Sequence, residues 1–214
     1  DADSGVGLGH RRLSILDLSK NGHQPMISKN GSLVIVFNGE IYNHQELRVG
    51  LNPLNWSGSS DTETLIECIS CYGLNKTLSM VRGMFAFALW NKKTGELILA
   101  RDRYGEKPLY YGIVNNTFMF ASELKSLTNH PAFDKEIDRE SLSAFLKFSY
   151  IPTPRSIYKN ISKLEQGSYL IFNTKTSDYK KYSFWDLESL AIENISKKKE
   201  FYQDDSIDAL DNLL

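Results

Sequence analysis

The chain has 214 residues, 41% hydrophobic and 24% charged, a balance that fits a globular protein of one or two domains and excludes a wholly disordered one. Its 25 basic and 26 acidic residues nearly cancel, which leaves no overall field to attract nucleic acid or a membrane surface. The longest apolar run, Met84 to Trp90, is far short of the roughly 20 residues of a membrane span, and two cysteines make no disulfide framework, so a reducing cytoplasm is the expected setting.

In chain order, Leu33 to Phe37 is the first β-rich run. Asn43-x-x-Glu46 reads as a capping box opening a short helix that Gly50 ends. Ser60-x-x-Glu63 is a second box, followed by Leu65, Ile66 and Ile69 at helical spacing up to Gly73. Met84 to Trp90 alternates large and small residues, as a strand does when one face packs against something bulky. Lys92 to Gly95 supplies a hairpin turn and Leu97 to Ala100 returns. Pro108 to Val114 and Thr117 to Ala121 flank Asn115-Asn116, another hairpin signal. Asp138 caps a helix that carries Leu142, Phe145, Leu146 and Phe148, and Ser168 to Phe172 and Tyr179 to Trp185 pair around Asn173-Thr174. Strands mixed with a few helices, without strict alternation, predict an antiparallel α+β sandwich.

After Trp185 the composition turns polar. Asp186 to Asp205, with Lys197 to Lys199 inside it, reads as a linker, and a domain boundary is placed near Trp185. Ile207, Leu210, Leu213 and Leu214 form an apolar stripe at helical spacing, and the chain is expected to be an internal piece of a longer protein. Residue 1 is Asp, with no secretory signal visible after it.

Three polar clusters could carry chemistry. In Asn38-Gly39-Glu40-Ile41-Tyr42-Asn43, an Asn amide and a Gly backbone N–H can sit side by side as two donors for a developing oxyanion. Asn-Gly is also the commonest hairpin turn, but no matching second strand follows here, because Asn43 opens a helix. In Gly9-His10-Arg11-Arg12-Leu13-Ser14-Ile15, an Arg beside an alternating apolar stretch can anchor a carboxylate through two parallel hydrogen bonds, or can simply sit on the surface. In Gly58-Ser59-Ser60-Asp61-Thr62-Glu63, Asp61 either favours the helix dipole or binds an ammonium group. Cys68 and Cys71 fall inside a predicted helix and read as helix residues, at least one of them buried. The four histidines are scattered, so no metal-ligand spacing occurs.

Eight ordered blocks, LGHRRLSILDLS, GHQPM, VFNGEIYNHQELR, SDTE, GMFAFALW, ARDRYGEKPLYYG, FASELKSL and PTPRSIYKNISKLEQGSYL, carry a resemblance to a known family. Over residues 5 to 185 the chain resembles the glutaminase domain of glutamine-dependent asparagine synthetases, a class II, N-terminal nucleophile amidotransferase. The resemblance implies an Ntn-hydrolase-like four-layer sandwich of antiparallel sheets flanked by helices. Residues 1–185 would then be the amidotransferase domain, with its N-terminal segment missing. Residues 186–214 would be a linker and the start of an ATP-dependent synthetase domain. It further implies that Arg12 grips the substrate α-carboxylate and that the backbone at Leu13 and Ile15 lines the pocket. Asn38 and Gly39 would form the oxyanion hole, and Glu40 and Asp61 would hold the α-ammonium group.

In such proteins an N-terminal Cys attacks the glutamine side-chain amide, with its own α-amino group as base. That Cys and the Arg-Gly-Pro motif after it are absent from this sequence, so the fragment is expected to hold a glutamine pocket without its nucleophile and to be inactive alone. Ammonia would pass to the C-terminal synthetase domain of the same chain, where ATP and Mg activate aspartate for amidation to asparagine. The Ser-Gly-Gly-x-Asp-Ser loop of that domain is absent too, so no cofactor is expected in this fragment. Asp102 to Gly105 and Ser122-Glu123 match blocks near the domain interface and channel, or are a turn and a helix cap. Two rival readings stand beside the synthetase. One is an amidotransferase with another carboxylate acceptor, as in surface polysaccharide synthesis; the other is a non-catalytic glutaminase-like domain kept for binding or dimerisation. The oligomeric state, a homodimer among the options, stays open.

Overall fold

The structure, a computed structural model, describes residues 1–13, 16–51, 55–196 and 203–212. Among these, a six-stranded antiparallel sheet has the order β1-β2-β3-β4-β8-β9: β1 (Met26–Ile27), β2 (Leu33–Ile41), β3 (Gly83–Asn91), β4 (Glu96–Arg101), β8 (Ser168–Asn173) and β9 (Asp178–Ser183). A three-stranded sheet has the order β6-β5-β7, from β5 (Tyr110–Val114), β6 (Thr117–Ala121) and β7 (Ile161–Lys163). Helices α1 (His44–Gly50), α2 (Asp61–Tyr72) and α3 (Leu74–Met80) accompany the large sheet, and α4 (Leu124–Leu127) the small one. Then come α5 (Arg139–Phe148), α6 (Leu187–Ser196) and α7 (Gln203–Asp211).

Period-two alternation sorts the side chains into layers. From β2 and β3, Ile35, Phe37, Phe85, Phe87 and Leu89 join Leu65, Ile66 and Leu78 in a core between the large sheet and the helices. Val36, Ala86, Ala88 and Trp90 point the other way, toward Leu109, Tyr111 and Leu164 and the half-buried Phe118 and Phe120. A third cluster, Val114, Met119, Leu127 and Ile161, backs the small sheet against α4 and its loops. Helix, sheet, sheet, helix is the expected four-layer arrangement. Each fully buried large side chain contributes roughly 1.5–3 kcal/mol, so β3, buried on both faces, anchors the fold.

The expected strand at Leu33–Phe37 runs on through Asn38, Gly39 and Glu40 to Ile41, paired throughout with β3 (Asn38↔Ala86, Gly39↔Phe85). Asn-Gly is therefore no turn. Gly39 sits at φ +159, and a Cβ there would lie 2.1 Å from the Met84 carbonyl, so the two strands can approach only at a glycine.

Other boundaries follow the sequence signals. Asn115 and Asn116 take φ values of 47 and 60, the left-handed pair of a two-residue hairpin turn. The Asp138 carboxylate accepts from Glu140 and Ser141 N–H at 3.3 and 3.2 Å. The Ser60 hydroxyl accepts from Glu63 N–H at 3.2 Å. Cys68 is buried and Cys71 exposed.

Two expectations fail, the Asn43 cap and the end of the last strand. The Asn43 box does not form: the Asn43 amide donates to Met80 O (3.0 Å) and accepts from Arg82 N–H (2.8 Å), a tertiary use that outcompetes the cap. Within Asp186–Asp205, read as a linker, the described residues include helical ones. The Asp186 carboxylate accepts from Ser189 N–H at 2.9 Å and opens α6, and α7 begins at Gln203. The last strand ends at Ser183, short of Trp185. The α5 face of Leu142, Phe145, Leu146 and Phe148 is at least partly open to solvent.

Asp102, fully buried, holds the turn after β4. Its carboxylate accepts from the N–H groups of Phe85 (3.2 Å), Tyr104, Glu106 and Lys107 (each 3.0 Å). Asp102→Ala would orphan four donors and is expected to destabilise the fold by at least about 3 kcal/mol, read as a lower urea midpoint at unchanged m-value. A loss under about 1 kcal/mol would show that water replaces the carboxylate.

Candidate active site

The second half of β2 leads into a cavity of about 730 Å³ between the two sheets. The small faces of Ala86 and Ala88 leave room for it, with Leu109 and Phe120 across the gap. Alternation puts Asn38 and Glu40 on the same face as Val36, and both line the cavity. Arg12, Leu13, Gly39 and Asp61 line it too, so the structure brings together every predicted site residue that it describes. Ile15 lies outside the described residues.

Backbone accounting along the outer edge of β2 locates the donors. Strand β1 pairs only with Val34 and Ile35. Beyond it the edge N–H of Phe37 donates to Gln24 Oε1 (2.7 Å), and that of Ile41 to Asp61 Oδ2 (2.9 Å). By the same alternation the Gly39 N–H leaves this edge between the two. Gln24, Gly39 and Asp61 all line the cavity, so that N–H faces it. The Asn38 amide, on the adjacent face, donates to Ser122 Oγ at 3.3 Å.

Asp61 is the first residue of α2 and is buried. Burial pushes its carboxyl above the ordinary aspartate range, opposed by the Ile41 and Thr62 N–H groups. It makes no salt bridge among the described residues, and Glu40 has neither a salt bridge nor a side-chain hydrogen bond there. The Arg12 guanidinium donates to the backbone carbonyl of Asp17 and likewise pairs with no carboxylate among them.

The loop that delivers Asp61 is held from several sides. Glu63 accepts from Ser57 and Gly58 N–H at 2.8 and 2.9 Å. Arg48 of α1 donates to Gly58 O, Ser60 O and Thr64 Oγ1, each at 2.8 Å, and its guanidinium lies 4.2 Å from the centre of the Trp56 ring. Sequence reasoning missed His10 and Gln24 at the cavity. Burial lowers the His10 imidazole, a hydrogen bond to the Phe37 backbone opposes this, and its buried Nδ1 has no partner among the described residues. Both residues sit in quoted blocks, yet only the tertiary structure shows what they touch. No group of three or more His, Cys, Asp or Glu among the described residues could hold a metal, and no helix there is long and apolar enough to cross a membrane.

The Asn38 amide, the Gly39 backbone, the Glu40 and Asp61 carboxylates and the Arg12 guanidinium line one cavity between antiparallel sheets, together with Arg11, Lys107, Glu123 and Lys125. The chain matches the glutamine amidotransferase domain over residues 2–185 and belongs to that family. It is 36% identical over 217 residues to asparagine synthetase [glutamine-hydrolyzing] 2 of Bacillus subtilis (strain 168), covering 99% of this chain and 29% of that protein. It is 38% identical over 198 residues to a putative asparagine synthetase [glutamine-hydrolyzing] 2 of Methanocaldococcus jannaschii, covering 85% and 38%. Amidase chry2 of Gibberella zeae is 37% identical over 184 residues, covering 86% and 26%. The chain thus spans roughly a quarter to two fifths of the length of these relatives. Among solved structures, glutamine phosphoribosylpyrophosphate amidotransferase from B. subtilis shares the Ntn-hydrolase fold, with a TM-score of 0.57 at 24% identity over 82% of this chain and 34% of that one.

The raised Asp61 carboxyl has a thermodynamic sign. Between the ordinary aspartate range and the raised value, the folded state binds more protons than the unfolded one, so stability falls as pH rises through that window. Asp61→Asn keeps an oxygen for the Ile41 N–H and removes the buried charge. Its Tm at neutral pH is expected to equal or exceed that of the parent, with the acid-side slope flattened. A lower Tm at neutral pH would show that the charge is satisfied within the protein.

Proposed function

We propose that this chain is the glutamine-binding and ammonia-releasing domain of a glutamine-hydrolysing asparagine synthetase, a ligase that amidates aspartate. The observation that carries this is the buried Asp61 carboxylate, without a salt bridge among the described residues, on the cavity that also holds Arg12 and the Asn38–Gly39 donors. A zwitterionic amino acid with a terminal amide matches that set group for group. Arg12 takes the α-carboxylate, Asp61 and Glu40 take the α-ammonium, and the backbone at Leu13 lines the pocket. When a thiolate adds to the side-chain carbonyl, the Asn38 amide and Gly39 N–H receive the oxyanion. Its collapse expels ammonia, and water then releases glutamate from the thioester.

In this reading the nucleophile lies outside the 214 residues. Cys68 is in the hydrophobic core, where burial pushes its thiol up to about 11, and Cys71 is not among the cavity-lining residues. The chain alone is therefore expected not to turn glutamine over. The domain boundary falls near Trp185, and the C-terminal synthetase domain of the same chain receives the ammonia. ATP and magnesium belong to that domain, whose chemistry is to activate the acceptor carboxylate. A second reading, transfer to another acceptor, draws on the chry2 relative, which bears the name of an amidase at comparable identity.

Two substitutions in the complete protein test the proposal. Asp61→Ala is expected to raise the glutamine KM about 10- to 100-fold while ammonia-dependent synthesis survives, since a charge-assisted contact contributes about 1.5–3 kcal/mol. Equal loss of both activities would refute the assignment. Asn38→Ala should lower kcat with glutamine about 10²- to 10³-fold at little changed KM, because an oxyanion donor acts in the transition state. A pure binding defect would remove Asn38 from that role.

A further inference from the structure

Two of the binding charges come from different stretches of chain: Arg12 from residues 9–24, Asp61 from the start of α2 just after the loop at 57–60. Asp17 joins these stretches. It is buried, and its carboxylate is divided between them. One oxygen accepts from the Ser19 N–H (2.8 Å) and Ser19 hydroxyl (2.6 Å) on its own stretch. The other accepts from the Ser59 N–H (2.9 Å), two residues before Asp61. Its backbone carbonyl receives the Arg12 guanidinium. A Cβ on Gly58 would lie 2.3 Å from the same carboxylate oxygen, so the loop closes onto Asp17 through a glycine. The Asn21 side-chain amide also reaches Ser57 O (2.5 Å), which brings the two stretches into contact a second time.

We propose that Asp17 is a positioning residue that fixes the spacing between the carboxylate-binding Arg12 and the ammonium-binding Asp61, and so sets selectivity for an α-amino acid over an acid lacking the amine. This rests on the glutamine pocket proposed above. Asp17 touches neither group of the substrate; it acts through the segments that do. Glu63 and Arg48 brace the same loop from within the helices, but Asp17 ties it to the Arg12 segment by its side chain. A carboxylate suits the task, because two oxygens can accept from both segments at once. An amide in its place would turn an NH2 toward one of those donors.

The test uses the complete protein and two ligands: glutamine, and 4-carbamoylbutanoate, which is glutamine without its amino group, as a competitive inhibitor. For Asp17→Asn, the glutamine KM is expected to rise at least 10-fold with glutaminase kcat within about 2-fold. The inhibition constant of 4-carbamoylbutanoate should change less than 3-fold, because a ligand with one charged end does not feel the spacing. Ammonia-dependent synthesis should be unaffected. Should Asp17→Asn fail to fold, Ser19→Ala, which removes a donor from the same carboxylate, carries the test with the same pattern at about 3-fold. An unchanged glutamine KM, or equal weakening of both ligands, overturns the role of Asp17. Arg12→Ala and Asp61→Ala run alongside: if they too leave the glutamine KM unmoved, the pocket reading fails rather than the positioning role alone.

Discussion

Strand β2 has to be an interior strand at one end and the wall of a cavity at the other, and the fate of its edge N–H groups decides how. Over Val34 and Ile35 the edge is covered by β1. Past that point no strand pairs with it among the described residues, and uncovered N–H groups within a protein need other partners. A side-chain amide takes Phe37 and a side-chain carboxylate takes Ile41. The group between them, at Gly39, is left for whatever enters the cavity. An ordinary neighbouring strand would have consumed all three. Ending β1 after two residues is therefore what converts a sheet edge into a binding edge, with the rigidity of the sheet behind it.

The same economy explains the electrostatics. Where charges in this region serve the fold, they are saturated: Glu63 with two N–H groups and Arg48, Asp17 with Ser19 and Ser59, Asp102 with four N–H groups. Asp61 differs. It accepts the Ile41 N–H but lacks a cationic partner among the described residues, and burial makes its charge costly. A protein selected for stability alone would place a neutral side chain there. A site that must desolvate an ammonium group gains by holding the anion ready in advance, and the folded state bears the cost.

Much of this was legible in the sequence, in proportion to how local the physics is. The alternation of β3 reports two faces of different bulk, and the small face at Ala86 and Ala88 proves to be the cavity floor. The Asn115-Asn116 turn and the caps at Ser60 and Asp138 depend on neighbours within three residues, and they form. The Asn43 box has the same local signature but fails, because Met80 and Arg82, some 40 residues away, compete for the same amide. The strand beyond Phe37 looks polar and turn-like until β3 is laid beside it. Helix α6 hides in a charged stretch whose composition outweighs the Asp186 cap that starts it. His10, Asp17 and Gln24 are visible as letters in matching blocks, while the contacts that tie them to Phe37, Ser59 and Thr62 respectively are non-local.

The candidate site therefore separates into parts of different origin. The Asn38 and Gly39 donors, assigned to the oxyanion in the proposed reading, come from one strand and one register, so they are fixed by pairing with β3 and cannot drift apart without breaking the sheet. Of the charges in that reading, Glu40 shares the strand register, whereas Arg12 comes from a loop and Asp61 from the junction of a loop with α2, which have no such register. Loops position groups well only when other contacts over-determine them. Here the 57–60 loop has its Ser57, Gly58 and Ser59 N–H groups and its Gly58 and Ser60 carbonyls all engaged by side chains. That density is what allows Asp61, whose own burial is unfavourable, to stay where a sheet-borne donor pair needs it. In the proposed reading, sheet register fixes where the reacting carbonyl can sit, and the braced loop fixes how far from it the charged end of the substrate must lie.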